Sequence, residues 1–280
     1  KGELGIKLHP GQARELSAYY ESGLPDWLNL SGRRSGKSLL ADVIACYEAL
    51  VPDFSAYIRP EEPRHIIIVA NRLDNARLHI DNISKMLSRR FKSKITNVTQ
   101  DRIELSNGAV ILCLPASARA GRGYTASCVI FDELAHFVDS DGNQSADAVY
   151  NAFSPTVATF GDAARIVITT TPFTRTGVVF DLFDRINSGE LADQIYLTHC
   201  TTQEMNPKVG EGTIKRALKR DEESARTEYF AEFRDPLEAF LNPLAIDRAV
   251  DEHLAELHHA EPGKQYIMAI DPAIMRDNFA

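Results

Sequence analysis

Trp27-Leu28-Asn29-Leu30-Ser31-Gly32-Arg33-Arg34-Ser35-Gly36-Lys37-Ser38 is an apolar run that breaks into a short loop and ends on Gly-Lys-Ser. Beyond it, Leu39, Leu40, Val43, Ile44, Tyr47 and Leu50 fall on one face of a helix over Ser38–Leu50. Strand, glycine loop and helix in that order form the context that a phosphate-binding loop requires. Successive N–H groups at a helix N-terminus make a concave anion site, and Gly36 lets the backbone approach a phosphate closely. Lys37 is then the cation for the β- and γ-phosphates of a nucleotide, and the Ser38 hydroxyl is the ligand for Mg2+. Gly32, Arg33, Arg34, Ser35, Gly36, Lys37 and Ser38 are the candidate nucleotide-binding set. The strict pattern G-x-x-x-x-G-K-[ST] is missed by one position, because Ser31 stands where its first glycine belongs and Gly32 follows.

Working outward, apolar runs of strand length recur at Trp27–Ser31, His65–Ala70, Cys128–Asp132, Ile166–Thr171 and Ile195–His199. Helical patterns lie over Leu73–Phe91, Ala146–Phe160, Val178–Ser188 and Glu211–Phe233. Strand alternating with helix predicts an α/β fold with a mostly parallel sheet covered on both faces. Arg102–Leu114 is the exception: its two alternating halves meet at Asn107–Gly108, a hairpin signal.

Cys128-Val129-Ile130-Phe131-Asp132-Glu133 is an apolar strand that ends in two carboxylates. Ligands of a parallel sheet sit beyond the carboxyl ends of its strands. Asp132 is therefore placed to hold Mg2+ beside Ser38, and Glu133 to orient and deprotonate an attacking water. Adjacent residues of a strand point to opposite sides, so the two acids can take different jobs.

Composition is that of an ordinary globular enzyme, with 44% hydrophobic and 25% charged residues in 280. The net charge of −8 does not advertise a nucleic-acid binder, and any such contact would need a local basic surface. Cys46, Cys113, Cys128 and Cys200 are scattered without metal-ligand spacing and read as small buried hydrophobes. No apolar run approaches the ~20 residues that span a bilayer, so no membrane role is expected. Starting at Lys1 without a signal-like stretch, the chain reads as a trimmed intracellular protein.

After Phe233 the pattern changes. Pro236, Pro243 and the polar stretch through Pro262–Gly263 read as a linker with one short helix near Leu244–Leu257. A new strand, Gln265–Ile270, ends at Asp271 shortly before the chain stops.

With these motifs in hand, the chain resembles the large terminase family of viral DNA-packaging motors over nearly its whole length. The off-register loop Gly32-Arg33-Arg34-Ser35-Gly36-Lys37-Ser38 is similar to the deviant phosphate loop of terminases, with an arginine directly after its glycine. The resemblance implies a P-loop NTPase of RecA/ASCE-like type over residues 1–235, a linker subdomain over 236–263 and the truncated start of an RNase H-like nuclease domain over 264–280. It makes Arg33 a catalytic arginine on the γ-phosphate of its own subunit. Leu8-His9-Pro10-Gly11-Gln12 looks like the segment whose glutamine reads adenine, which passes that role to Gln12. Gly121-Arg122-Gly123 resembles the segment whose arginine acts on a neighbouring subunit's ATP, with Arg122 the choice and Arg119 in reserve.

Thr169-Thr170-Thr171-Pro172 looks like the family's coupling motif, with Thr170 and Thr171 as its hydroxyls, and Glu228–Phe233 like the aromatic-acidic segment that closes the ATPase domain. Asp271 would be the first nuclease metal ligand and Asp277 a second acid, but a two-metal site needs more carboxylates than follow. No nuclease activity is therefore expected of this chain alone. The implied activity is ATP hydrolysis with ATP and Mg2+. The implied partners are double-stranded DNA, the portal protein of the procapsid and the small terminase subunit. The docked state is a homo-oligomeric ring, with a monomer in isolation, and the place of action is the cytoplasm of the infected host cell.

Lys85, Arg89, Arg90, Lys92 and Lys94 form an acid-free stretch suited to DNA phosphates, although cations also favour a helix C-terminus. Lys215, Arg216, Lys219 and Arg220 run into Asp221–Glu223 and read as a solvated helix face. The alternative is a helicase-like or DNA-remodelling P-loop ATPase, which would need a second RecA-like lobe. A nucleotide-dependent scaffold would have no use for Glu133, and no substrate lid of a metabolic kinase is recognisable.

Overall fold

A computed structural model describes residues 4–59, 61–121, 123–138 and 145–234. The linker, Asp271 and Asp277 lie outside the described residues. In chain order the elements are α1 (Pro10–Ser22), β1 (Asp26–Ser31), α2 (Lys37–Leu50), β2 (Arg64–Ala70), α3 (Leu73–Ser88), β3 (Ile95–Val98), β4 (Arg102–Leu105) and β5 (Ala109–Pro115). They continue with β6 (Ala126–Asp132), α4 (Ala146–Phe153), β7 (Arg165–Thr170), α5 (Gly177–Asn187), β8 (Ile195–Cys200), α6 (Thr202–Met205), α7 (Glu211–Arg220) and α8 (Glu222–Phe230).

The strands form one sheet in the order β3-β4-β5-β2-β6-β7-β1-β8, parallel from β5 to β8, with β3, β4 and β5 joined antiparallel. β7 thus stands between β1 and β6. The central strands are apolar because both of their faces are covered. Ile66, Ile68, Cys128 and Ile130 face one core with Leu40 and Ile44 of α2 and Ile80 and Ile83 of α3. Their chain neighbours Ile67, Val69, Val129 and Phe131 face the other core with Val149 and Phe153 of α4 and Val179 and Leu182 of α5. This period of two assigns each strand's last residues to one face or the other.

Several expected elements differ in detail. The helix anticipated over Ala146–Phe160 stops at Phe153, because Pro155 offers no backbone donor, and gives way to 3-10 turns over Ser154–Ala163. The single helix anticipated over Glu211–Phe233 is two, divided at Asp221, whose extended backbone (φ −159°) lets its carboxylate accept from Ser224 N at 2.9 Å. The Asn107–Gly108 hairpin is present, with Gly108 at φ 79°, and acquires a third strand, β3, that the sequence did not announce. That edge strand is largely exposed and carries no apolar alternation. Cys46, Cys113 and Cys128 are buried, and all four cysteines are free thiols. Among the described residues, no helix is long and apolar enough to cross a membrane.

Ile130 is 0% exposed in the middle of the sheet, whereas Val98 on β3 is 45% exposed. Ile130→Ala is expected to cost about 2–5 kcal/mol in urea unfolding, because the cavity cannot collapse. Val98→Ala should stay within about 0.5 kcal/mol.

Candidate functional site

The loop from β1 to α2 is held by elements remote in sequence. Gln12 of α1 is buried and donates from Nε2 to Ser35 O at 2.6 Å, while its Oε1 accepts from His9 N at 2.9 Å. Thr202 of α6 donates to Arg33 O at 2.8 Å, and Asn206 to Arg34 O at 2.8 Å. From α8, Glu228 O accepts from Arg33 N at 2.5 Å and the Glu228 carboxylate meets Arg33 Nη1 at 3.3 Å. Arg33 and Arg34 are otherwise exposed.

These clamps explain the displaced glycine. Ser31 still belongs to β1, paired with Cys200 of β8, and needs no special backbone. At Gly32 a Cβ would come within 2.3 Å of Thr202 Oγ1 and 2.7 Å of Tyr229 O, so only glycine fits. Gly36 opens α2 at φ 92°, and a Cβ there would lie 2.2 Å from Gln12 Nε2.

Strand register brings three chain segments to one level: Leu30 of β1 stands beside Thr170 of β7, and Thr169 beside Asp132 of β6. Into this junction projects Lys37, whose side chain is 3% exposed. Its Nζ donates to Ser31 O at 2.9 Å, Gly32 O at 3.2 Å and Thr171 Oγ1 at 2.9 Å, and lies 3.3 Å from Glu133 Oε1. Glu133 leaves the strand in the left-handed region at φ 65°. Its Oε2 accepts from Thr171 N at 3.0 Å and from Thr170 Oγ1 at 3.5 Å.

Asp132, one residue earlier, points to the α2–α3 face as the pleat requires. Oδ2 accepts from Ser38 Oγ at 2.9 Å and Oδ1 from Thr169 Oγ1 at 2.8 Å. His79 of α3 stands between two carboxylates, with Nδ1 at 2.6 Å from Asp42 Oδ1 and Nε2 at 3.2 Å from Asp132 Oδ2. Burial opposes a charge on His79, but hydrogen bonds to Asp132 and Asp42 outweigh it and push its pKa up to about 10. Burial alone would raise Asp132; the bonds from His79, Thr169 and Ser38 prevail and hold it below the usual carboxylate range. Asp42 is raised by its burial, against the pull of His79.

Lys37, Ser38, Asp132, Glu133, Thr170 and Thr171 therefore come together as one site. The residues fit a nucleotide with Mg2+: a hydroxyl and one carboxylate are the share of Mg2+ ligands a protein supplies when phosphates provide others. Arg122 lies outside the described residues, and Arg119 is exposed on the segment after β5. Arg89, Arg90, Lys92 and Lys94 are exposed beyond the C-terminal end of α3, with Arg89 Nη1 donating to Gly5 O at 2.8 Å. The sequence reading missed His79 and Thr169 as partners of Asp132, and Asp42 as the partner of His79. Asp42 is one helical turn after Ser38, and His79 interrupts the buried Ala76, Ile80 and Ile83 stripe, which was the available signal.

The family model described as the large subunit of terminase, T4likevirus-type, N-terminal, matches residues 28–239. No curated protein matches the chain. The large terminase ATPase domain of Thermus Phage P74-26 superposes with a TM-score of 0.61 at 22% identity, covering 83% of this chain and 96% of that one. The large terminase of the HK97 bacteriophage gives 0.59 at 16% identity, covering 81% of this chain and 51% of that one. A large terminase from a thermophilic bacteriophage, in complex with ATP-gamma-S, gives 0.50 at 15% identity, covering 76% and 49%. Likeness at identities this low establishes a fold shared with these terminases and no more. The family match spans most of the sequence, and the chain belongs to the large terminase family.

Proposed function

We propose that this chain is an ATPase motor domain that couples ATP hydrolysis to the movement of double-stranded DNA into a viral procapsid. One observation carries the enzymatic part: consecutive residues of the phosphate loop, Lys37 and Ser38, each contact one of the consecutive acids Glu133 and Asp132. Charge for the triphosphate, a metal-ligand pair and a base for water thus share one junction. Family membership favours packaging over a helicase-like role.

In this reading the loop from Gly32 to Ser38 cradles the phosphates, and Lys37 turns to the β- and γ-oxygens. Ser38 and Asp132 would hold Mg2+, which when bound would supply positive charge to the phosphate oxygens. Glu133 orients a water and accepts its proton as the water oxygen bonds to the γ-phosphorus and the bond to the bridging oxygen of ADP breaks. Gln12 supports the loop through Ser35 O and, by the family resemblance, would read the adenine base. Arg33 would exchange Glu228 for the γ-phosphate, and Arg122, with Arg119 in reserve, would serve a neighbouring subunit's ATP in a homo-oligomeric ring. Thr170 touches Glu133 and Thr171 touches Lys37, which supports the reading that their hydroxyls register loss of the γ-phosphate.

Arg89, Arg90, Lys92 and Lys94 are the proposed DNA contacts, and Asp271 the first ligand of a nuclease site completed elsewhere. The portal protein and the small subunit are the proposed partners, in the cytoplasm of the infected cell.

Lys37→Ala should lose most of its affinity for ATP by calorimetry, and undiminished binding would defeat the phosphate-loop assignment. Glu133→Gln should still bind ATP while steady-state turnover falls about 10²–10⁴-fold; normal turnover would remove Glu133 as the base. Arg122→Ala should silence the portal-docked ring and leave nucleotide binding intact, whereas full ring activity would exclude this arginine from the mechanism.

A further inference from the structure

His79 is a buried ionisable side chain at the site for which the roles above have no use. It lies on α3, not on the loop or the strand ends, and is 4% exposed. A chain of polar contacts runs through it: Asn82 Nδ2 donates to Asp42 Oδ2 at 3.3 Å, Asp42 Oδ1 faces His79 Nδ1 at 2.6 Å, and His79 Nε2 faces Asp132 Oδ2 at 3.2 Å. Asp42 itself is 0% exposed. Ala76, Ile80 and Ile83 of α3, the helix of His79, are buried in the apolar core, where an imidazole carries a desolvation cost that a hydrophobic side chain would not. The chain ends on the one carboxylate that, with Ser38, is assigned to the metal.

Its effect on that carboxylate is geometric. A carboxylate offers roughly four acceptor positions, and His79, Thr169 and Ser38 between them take three at Asp132. Thr169 fixes Oδ1 from the sheet, and His79 fixes Oδ2 from the helix layer. Without the ring, Oδ2 keeps only Ser38, in the first turn of α2. Partners of this outer kind commonly set metal affinity by about 10–100-fold.

We propose that His79, oriented by Asp42, is a positioning residue that fixes the Asp132 carboxylate for the divalent cation accompanying the nucleotide, and so sets the site's Mg2+ affinity. The proposal rests on the nucleotide reading above.

The test uses the whole chain and a fluorescent ATP analogue, titrating Mg2+ to find the midpoint of metal-dependent binding, with metal-free binding in EDTA measured alongside. His79→Ala is expected to raise the Mg2+ midpoint about 10–100-fold and to leave metal-free affinity unchanged. His79→Gln, which keeps an N–H donor near Asp132, should recover most of the loss, and Asp42→Asn should fall between. An unchanged midpoint in His79→Ala overturns the proposal. So does an equal fall of metal-free and Mg2+-dependent binding in both His79 variants, the mark of a purely structural role. Absence of nucleotide binding by the unsubstituted chain would instead overturn the motor reading, and this proposal with it.

Discussion

The Lys37 ammonium, closed off from solvent at the junction of three strand ends, is the constraint around which the rest is arranged. A buried cation is tolerated only when its donors are all engaged and a counter-charge is near. Ser31 O, Gly32 O and Thr171 Oγ1 engage the donors, and Glu133 provides the charge. Those partners come from the end of β1 and the residue after it, from the segment after β7 and from the turn after β6. They reach one ammonium only because the three strands are adjacent, parallel and in a register that ends them at the same height. The sheet order, with β7 between β1 and β6, is thus a condition of the site and not merely its support. The ammonium and Glu133 form an ion pair at 3.3 Å, so in the proposed function a phosphate would have to compete with a carboxylate for the same cation.

A second layer holds this junction from outside. α1 reaches the loop backbone at Ser35, α6 and the Asn206 that follows it at Arg33 and Arg34, and α8 at Arg33 again. These are contacts to peptide groups, which any loop sequence could make. Their cost appears elsewhere, in the glycines at 32 and 36 that leave room for Thr202, Tyr229 and Gln12. The opposite face of the site is held by α2 and α3 through Asp42 and His79, so Asp132 is gripped by His79 from the helix layer and by Thr169 from β7.

Much of this could be read from residues alone where one physical requirement dominates. The central strands are legible because burial on both faces demands apolar runs, and the strand–loop–helix of the proposed phosphate loop because a helix N-terminus, a glycine and a lysine coincide. Asp132 and Glu133 are legible because the strand preceding them is so apolar that two acids at its end stand out. What escaped the reading depends on tertiary contact. β3 is an exposed edge strand without a pattern, and the break at Asp221 rests on a cap whose competitor, a continuous helix, has the same composition. His79 and Asp42 look like ordinary polar residues on amphipathic helices until the helices are packed, and the position of Gly32 makes sense only once Thr202 and Tyr229 are set against it. Arg122 and the segment from residue 235 onward lie outside the described residues, so the expectations placed there stand as proposals.

The most direct measurement is a crystal structure of the chain with Mg2+ and a non-hydrolysable ATP analogue. The account predicts the triphosphate along the loop from Gly32 to Ser38, Lys37 turned from Glu133 to the phosphates, and the cation between Ser38 and Asp132. A nucleotide bound elsewhere on the molecule, with the Lys37–Glu133 contact intact, would contradict it.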